Sequence, residues 1–213
     1  MKYNLNNIDS SNKLTYSINS KGVLNVKNEF IYGGKLNDAQ MPRFGMNFIM
    51  PKEYNNVIWY GRGPHENYSD RKSSAFVGLY NNLVEDLDFE YSRPQENGYR
   101  TDVRWLKVLN KNNVGFEIIG EPLVSFSAHY NTIEDFDDGL SPKKPGENVG
   151  ARKRIVKKQR KPIDVPKRDF ISLNIDLKQM GVGGDNSWGA RTLKKYTIEP
   201  GNYTYSYVIR PVN

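Results

Sequence analysis

Polar and aromatic side chains crowd one short segment in the first third of the chain. Residues 59–71 read WYGRGPHENYSDR, a predicted strand that runs into a Gly-Pro turn. Loops at strand ends carry functional groups more often than strand interiors do. Arg62, His65 and Glu66 could bind the hydroxyl groups of a sugar, and three rings could stack on its apolar face. Those rings belong to Trp59, Tyr60 and Tyr68. The residues leave open the alternative that the acidic side chains and arginines form ion pairs that hold the turn.

A second polar cluster, residues 93–100 with the sequence RPQENGYR, precedes another predicted strand. Glu96 and Arg100 offer the acceptor and donor groups that a polyhydroxylated ligand needs. A simple Asn-Gly turn with charged neighbours is the competing interpretation. A glycosidase needs two carboxyl groups flanking one bond, but Glu66 and Glu96 are only two of 24 acidic residues. They are weak evidence for a hydrolytic pair.

The third cluster, residues 178–190, is a predicted strand that ends in the glycine-rich loop MGVGGDNSWGA. It lacks the Lys-Ser/Thr ending of a phosphate-binding loop, and no helical pattern follows, so a nucleotide site is rejected. The glycines predict unusual backbone dihedral angles that hold Asp185, Asn186 and Trp188 in place. An exposed Trp188 suits a sugar platform, and a tryptophan that fills the core is the alternative.

The remaining candidates for chemistry are weaker. His65 and His129 are the only histidines and have no supporting motif, so a structural role is favoured for both. The acidic run 134–138 lacks the spacing of a calcium-binding loop, and no metal site is predicted. The chain contains no cysteine, which excludes disulfides and thiolate zinc sites.

The charge of the chain is concentrated in one segment. The formal net charge is +7, and seven basic residues with no acidic one lie between Ala151 and Lys161. Prolines surround this run, and it lacks interleaved aromatic residues, which favours a long solvated loop over residues 139–166 rather than a nucleic-acid-binding surface. No apolar run of membrane-spanning length occurs, so a soluble protein is expected, with the cytoplasm and the periplasm both open as compartments.

The elements that must position these clusters are predicted to be β-strands. Apolar and polar residues alternate with a period of two in residues 22–32, 100–108 and 203–209. Turn residues punctuate the chain at short intervals, which is typical of a β-sandwich. The one helical signal is a short turn around Thr132 to Phe136. We therefore expect a single all-β domain over residues 1–213.

Three separated strings, taken in order, resemble a known family. They are MPRFGM at residues 41–46, GRGPHENYSDR at residues 61–71 and MGVGGDNSW at residues 180–188. Together with PQENG at residues 94–98, they are similar to the small-chain domain of the large β-galactosidases among the family 2 glycoside hydrolases. The resemblance covers roughly residues 20–211. One departure is the basic, proline-rich stretch that replaces a short His-containing segment of the relatives.

The resemblance implies a β-supersandwich of the galactose-mutarotase-like class, as the last domain of a much longer chain. It also implies that the catalytic glutamates and the magnesium and sodium ligands lie mainly on a separate (β/α)₈ barrel, so this domain needs no cofactor of its own. In the family, the tryptophan of the glycine-rich loop stacks on the sugar beyond the galactose. Carried over to this sequence, that residue is Trp188, with Asp185, Asn186 and Ser187 as its neighbours in the motif.

Two classes of function follow from the sequence. In the first, the domain packs on the barrel of a lactose-cleaving hydrolase and completes its acceptor-sugar subsite, with no activity alone. In the second, it is an autonomous carbohydrate-binding or mutarotase-like domain. The expected partners are a galactoside and the other domains of the parent enzyme, without nucleic acid or membrane.

Overall fold

The described residues, 1–34, 41–137, 161–184 and 190–213, form an antiparallel β-structure in this computed structural model. Within these ranges the chain contains ten strands and no α-helix. The strands are β1 (Lys2–Leu5), β2 (Ser10–Ile18), β3 (Leu24–Ile31), β4 (Arg43–Pro51), β5 (Asn56–Gly63), β6 (Phe76–Leu83), β7 (Arg100–Leu109), β8 (Gly115–His129), β9 (Phe170–Gln179) and β10 (Tyr203–Val212). The prediction of an all-β fold is confirmed.

The three segments with period-two alternation coincide with β3, β7 and β10. On β3, Val26, Asn28 and Phe30 are buried, whereas their neighbours along the strand are more exposed. This pattern follows from the geometry of a strand, on which successive side chains point to opposite faces. One face of each of these strands therefore lies against the core, and the other faces outward.

Most strands lie in one continuous sheet with the order β1-β2-β3-β10-β8-β7-β5-β6. The long strand β8 connects this sheet to a second pair of strands. Its residues 115–121 pair with β10, and its residues 125–129 pair with β9, which in turn pairs with β4. All of these pairings are antiparallel.

The β4-β9 pair packs on one face of the main sheet, which gives a sandwich-like arrangement. The rings of Phe44 on β4 and Tyr205 on β10 are 5.5 Å apart, although these strands share no ladder in the described residues. The hydroxyl of Tyr205 also donates to the backbone oxygen of Ile175 on β9 at 2.8 Å. The core between these layers contains Val57, Trp59, Val103, Leu106, Ile118, Phe126, Ile171 and Leu173.

Short 3₁₀ turns occur at Asn6–Ile8, Val84–Leu87, Ile133–Phe136, Pro162–Asp164 and Lys194–Tyr196. The helical turn predicted near residue 132 is confirmed. There the side chain of Asp135 accepts a hydrogen bond from the backbone N–H of Thr132 at 2.9 Å and also binds Arg168. Most of the predicted basic loop, residues 139–160, lies outside the described residues. Within the described ranges, no helix has the length and apolar character needed to cross a membrane.

Candidate functional site beneath the glycine-rich loop

Arg43, at the start of β4, brings three of the sequence strings together. Its guanidinium group donates to the side-chain oxygen of Gln179 from Nη2 at 2.5 Å and from Nε at 3.1 Å. The same Nη2 lies 2.9 Å from Oε1 of Glu96. The backbone N–H of Met180 donates to the backbone oxygen of Pro42 at 2.9 Å. The entry string, the second polar cluster and the strand before the glycine-rich loop therefore meet around one arginine.

A buried carboxyl group lies below this arginine. Asp176 on β9 is fully buried, and its Oδ2 lies 3.2 Å from Nε of Arg43. Burial raises the pKa of Asp176 to about 7, although the charge of Arg43 acts in the opposite direction. Burial would lower the pKa of Arg43, but the charges of Asp176 and Glu96 outweigh it and leave that pKa raised. Arg43 thus remains a cation at the rim of the site.

The base of the glycine-rich loop is held by Asp70 of the first polar cluster. Oδ2 of Asp70 accepts a hydrogen bond from the backbone N–H of Gly183 at 2.7 Å and lies 3.4 Å from the hydroxyl of Thr192. The backbone N–H of Gly181 donates to Tyr196 at 2.8 Å. Asp70 therefore contacts both ends of the loop, one before and one after the segment 185–189.

Gly181 and Gly184 of this loop are needed for space rather than for their dihedral angles. A Cβ atom on Gly181 would lie 2.5 Å from Cγ of Asp70, and one on Gly184 would lie 2.2 Å from the backbone oxygen of Ala190. Gly181, Gly183 and Gly184 do not have positive φ angles. The prediction of unusual dihedral angles here is wrong, because close approach of the two ends of the loop is the constraint that excludes a side chain.

Trp188, Asp185, Asn186 and Ser187, the residues that the sequence puts first in the sugar site, lie outside the described residues. Their contact with a saccharide stays a prediction. The structure does describe the residues on either side of them, Gly184 and Ala190. Gly184 and Ala190 lie close together, because a Cβ atom on Gly184 would be 2.2 Å from the backbone oxygen of Ala190.

Glu66 is bound by three groups: Arg71 of its own cluster, Gly98 of the second cluster, and Tyr91, which lies just before the second cluster. Oε2 accepts a hydrogen bond from the backbone N–H of Gly98 at 2.7 Å, and Oε1 is bound by Arg71 and by the hydroxyl of Tyr91. Gly98 has a φ of +73°, which suits glycine at this turn. Glu66 therefore ties the first polar cluster to the second, which supports the ion-pair interpretation of residues 59–71.

Two arginines of the polar clusters bind backbone oxygens. Arg100 is buried and donates to Leu87, Gly98 and Pro64 at 2.9, 2.8 and 3.1 Å. Burial lowers its pKa to about 10, so it is still a cation at neutral pH. Arg62 pairs with Asp102 at 2.5 Å and donates to Ala75 at 2.8 Å. Both side chains thus hold loops together.

The other predicted sugar-binding groups differ in exposure. His65 is exposed, and its Nε2 lies 3.2 Å from the hydroxyl of Ser74. Trp59 and Tyr68 are fully buried, so the prediction that their rings offer a surface for a sugar is wrong. Sugar contacts by Arg62, His65, Glu66, Glu96 and Arg100 stay predictions. Among the described residues, no three His, Cys, Asp or Glu side chains converge as metal ligands would.

Comparison with known proteins identifies the family. The sequence profile described as "Beta galactosidase small chain" matches residues 1–209. The β-galactosidase of Priestia megaterium is 34% identical over 209 residues, which are 98% of this chain and 18% of that protein. Those of Halalkalibacterium halodurans and Vibrio cholerae are 32% identical over 88% and 80% of this chain, and over 17% and 14% of their own lengths. The chain belongs to the β-galactosidase small-chain family.

The small-chain domain therefore spans less than one fifth of the length of these relatives, and the resemblance stated from the sequence is confirmed. The strings that carried the resemblance are the segments that the fold brings together. Glu66 links residues 61–71 to residues 94–98, Arg43 links residues 41–46 to Glu96, and Asp70 anchors the loop that begins at residue 180.

Sequence reasoning missed the residues that organise this small-chain site. Asp70 belongs to the first polar cluster, for which the sequence indicates sugar contacts or ion pairs but not an anchor for the glycine-rich loop, and the sequence analysis does not single out Asp176. One signal for Asp176 exists in the sequence: it follows the alternating apolar positions 171, 173 and 175 of β9, where a charged residue needs a partner. The partner, Arg43, lies on another strand, and the sequence does not show how the two strands align.

Proposed function

We propose that this chain is the small-chain domain of a β-galactosidase that hydrolyses terminal β-D-galactosides such as lactose. In this proposal, the domain completes the acceptor-sugar subsite through Trp188 and supplies no catalytic carboxylate. The observation that carries the proposal is the double anchoring of the glycine-rich loop by Asp70, at Gly183 before the segment 185–189 and at Thr192 after it. A loop held at both ends in this way can keep one side chain in a fixed position.

The environments of the two glutamates support a structural role for both. The oxygens of Glu66 are bound by Gly98, Arg71 and Tyr91, and Glu96 pairs with Arg43. A general acid requires a carboxyl group that holds a proton near neutral pH, and a nucleophile must reach the sugar. A carboxylate whose oxygens are bound by neighbouring groups of its own domain is poorly placed to reach a sugar in either role. In this proposal, the hydrolytic pair lies on the remaining part of the enzyme.

The test is Trp188→Ala in the complete β-galactosidase that contains this domain. Loss of the stacking surface should raise the KM for lactose about tenfold, which corresponds to about 1.4 kcal/mol of binding. Hydrolysis of galactosyl fluoride, whose leaving group is too small to reach an acceptor platform, should change less than about twofold. The matched control Trp188→Phe keeps an aromatic face and should lie near the parent for both substrates.

The melting temperature of each variant separates a sugar platform from a tryptophan that fills the core. Removal of a buried tryptophan costs about 3–5 kcal/mol of stability, whereas removal of an exposed one costs little. Unchanged lactose kinetics, or a large loss of stability with equal losses on both substrates, would refute the role of Trp188. As a second variant, Asp70→Ala should loosen the anchored loop and raise the KM for lactose while leaving galactosyl fluoride hydrolysis largely intact.

A further inference from the structure

A continuous line of apolar side chains crosses the outward face of the main sheet. Tyr60 on β5 pairs with Leu79 on β6 and with Trp105 on β7. Trp105 pairs with Ile119 on β8, which pairs with Val208 on β10. Directly paired residues share one face of a sheet, so these five side chains form one line across five strands. We call them the outer row.

The outer row points away from the core. Its neighbours along the strands, Trp59, Leu106, Ile118 and Tyr207, are fully buried, and successive residues of a strand face opposite sides. Leu79 is 66% exposed and Tyr60 is 41% exposed, whereas the other three members are half-buried. With strands about 4.8 Å apart, the row is roughly 19 Å long. Single exposed apolar side chains are common on proteins, whereas contiguous exposed apolar patches are typical of interaction surfaces.

The row ends at an open edge. Strand β6 is the last strand of the sheet and, within the described residues, pairs only with β5. Its sequence, FVGLYNNL, contains no charged residue and no proline. Natural proteins protect an exposed edge with such residues or cover it with other parts of the structure. Val77 and Leu83 lie on the same face of β6 as Leu79 and are 40% and 39% exposed.

The chemistry of the outer row fits a protein partner better than a saccharide. The guanidinium carbon of Arg104 lies 5.6 Å from the ring centroid of Tyr60, and Nζ of Lys107 lies 5.6 Å from that of Trp105. A sugar that stacked on these rings would have to displace both cations. Tryptophan, tyrosine and arginine are enriched at the centre of protein interfaces.

Charged side chains border the row. In the next line across the sheet, Lys107 pairs with Glu117, and Glu117 pairs with Arg210, to which it is also bound through its carboxylate. An apolar centre with a polar rim is the usual organisation of a protein interface. The rim contains both signs of charge, which suits a partner surface that is close to neutral rather than a polyanion.

The lengths of the relatives indicate which partner covers this face. The chain spans 18%, 17% and 14% of three β-galactosidases, so more than four fifths of each lies outside the aligned region. We propose that the outer row and the edge of β6 form the surface on which the remaining domains of the β-galactosidase pack. This inference rests on the chain being one domain of a larger enzyme, and it does not depend on the role of Trp188.

The test measures the accessibility of Leu79. The chain has no cysteine, so Leu79→Cys introduces a single thiol into the 213-residue chain. Its rate of labelling by a maleimide is compared between this chain and the complete β-galactosidase, with the enzyme lacking the new thiol as background. We expect labelling at least about 100-fold slower in the complete enzyme, because reaction then requires local opening of the interface.

The matched control is Ile49→Cys, an exposed aliphatic position on β4, which is 57% exposed and lies in the other layer. Its labelling rate should change far less between the two proteins. Equal rates for Leu79→Cys in the chain and in the complete enzyme would overturn the proposal. Equal protection of both thiols would also overturn it, because general shielding of the domain would then explain the result.

A second variant distinguishes a domain interface from self-association. Leu79→Glu should leave the circular dichroism of the 213-residue chain unchanged, because the side chain is largely exposed. In the complete enzyme, the same change should weaken the packing of this domain on the remaining domains. Light scattering then gives the mass of the chain with and without this change. A dimer of the chain that Leu79→Glu converts to a monomer, together with an accessible Leu79→Cys in the complete enzyme, would assign the face to a second copy instead. The Trp188 variants should leave labelling unchanged, so the two proposals can fail separately.

Discussion

Asp176 lies on β9 with a side chain that is 1% exposed, below Arg43 and beside Tyr99. A carboxylate at such a position loses its hydration, and one arginine at 3.2 Å restores only part of that stabilisation. The consequence is a pKa of about 7, against an ordinary value of 3.8. Between these two values, the folded protein holds a proton on Asp176 that the unfolded chain releases.

Asp176 should therefore make the domain less stable as pH rises from about 4 to about 7. The folded state binds more protons than the unfolded state in this window, so the free energy of unfolding falls with pH. The effect of this one group is at most about 4 kcal/mol, from roughly three pH units at 1.36 kcal/mol each. Asp176→Asn removes it. The free energy of unfolding of the variant minus that of the parent, measured in urea, should increase from pH 4.5 to pH 7.5.

Asp135 provides a control of opposite sign. Its hydrogen bond to Arg168 lowers the pKa of Asp135, so its contribution is present above the ordinary value of 3.8 and is lost as pH falls through the lowered value. Asp135→Asn should thus be less stable than the parent at neutral pH, and the deficit should shrink in acid. A difference between Asp176→Asn and the parent that is constant with pH would contradict the assignment of a raised pKa.

At the scale of elements, the contact between β4 and β9 decides where Asp176 can sit. The pairing of these strands shifts register between Phe44 and Gly45, and Gly45 lies opposite Asp176. A Cβ atom on Gly45 would lie 1.7 Å from Oδ1 and 2.8 Å from Cα of Asp176. The irregularity and the glycine together make room for a buried carboxyl group between two strands.

Gly45→Ala should therefore destabilise the domain by about 1–3 kcal/mol, the usual cost of forcing an extra carbon into a packed site. In a protein that already carries Asp176→Ala, Gly45→Ala should lower the free energy of unfolding by less, because the oxygen atom in closest contact is gone. A double-mutant cycle measures this coupling between the two positions. Gly201→Ala is the matched control, since no atom lies within 4 Å of its added carbon. Equal unfolding free energies for Gly45→Ala and Gly201→Ala would show that the close contact has no energetic weight.

The strand β8 connects the parts of the site that are far apart in the sequence. Its first part belongs to the ladder with β10 and its second part to the ladder with β9. Since Phe126 pairs with Arg100 and Ile175 through this second part, β8 places the second polar cluster next to the strand that leads to the glycine-rich loop. The elements that carry the family's strings are therefore connected through ladders and not through loops alone.

At the scale of the whole molecule, the domain has one face that is covered by the β4-β9 pair and one that carries the outer row. The face covered by the β4-β9 pair forms the core, with the rings of Phe44 and Tyr205 in contact across the layers. On the opposite face, Leu79 and Tyr60 of the outer row are exposed. A domain with this division is suited to a place inside a larger assembly, in keeping with the 18% of a relative that it spans.

The 213-residue chain by itself should not hydrolyse a chromogenic β-galactoside. The reason is that the proposed function assigns the catalytic glutamates to another domain, and both glutamates of the polar clusters are bound by neighbouring groups. The complete enzyme, assayed in parallel, is the positive control. Polarimetry of freshly dissolved galactose should show the same rate of anomer interconversion with and without the chain. Turnover of the galactoside, or faster interconversion, would favour the autonomous enzyme instead, and calorimetry with galactose and lactose would detect an autonomous binding module.

Much of this molecule follows from local patterns in its sequence. Alternation with a period of two located β3, β7 and β10, because a strand that packs against a core on one face must repeat every two residues. The turn at Ile133–Phe136 followed from a threonine and acidic residues at its start. The three ordered strings were enough to identify the family, because each is a run of consecutive residues that can be compared without knowledge of the fold.

Only the tertiary structure decided which of those residues meet. Arg43 and Gln179 are separated by 136 positions, and Asp70 and Thr192 by 122. Contacts over such distances depend on strand order, register and one irregularity at Phe44 and Gly45, and a one-residue slip would reverse every side chain of a strand. The same dependence explains why the spacing of the glycines suggested unusual dihedral angles, while the fold shows two chain segments too close together for a side chain between them.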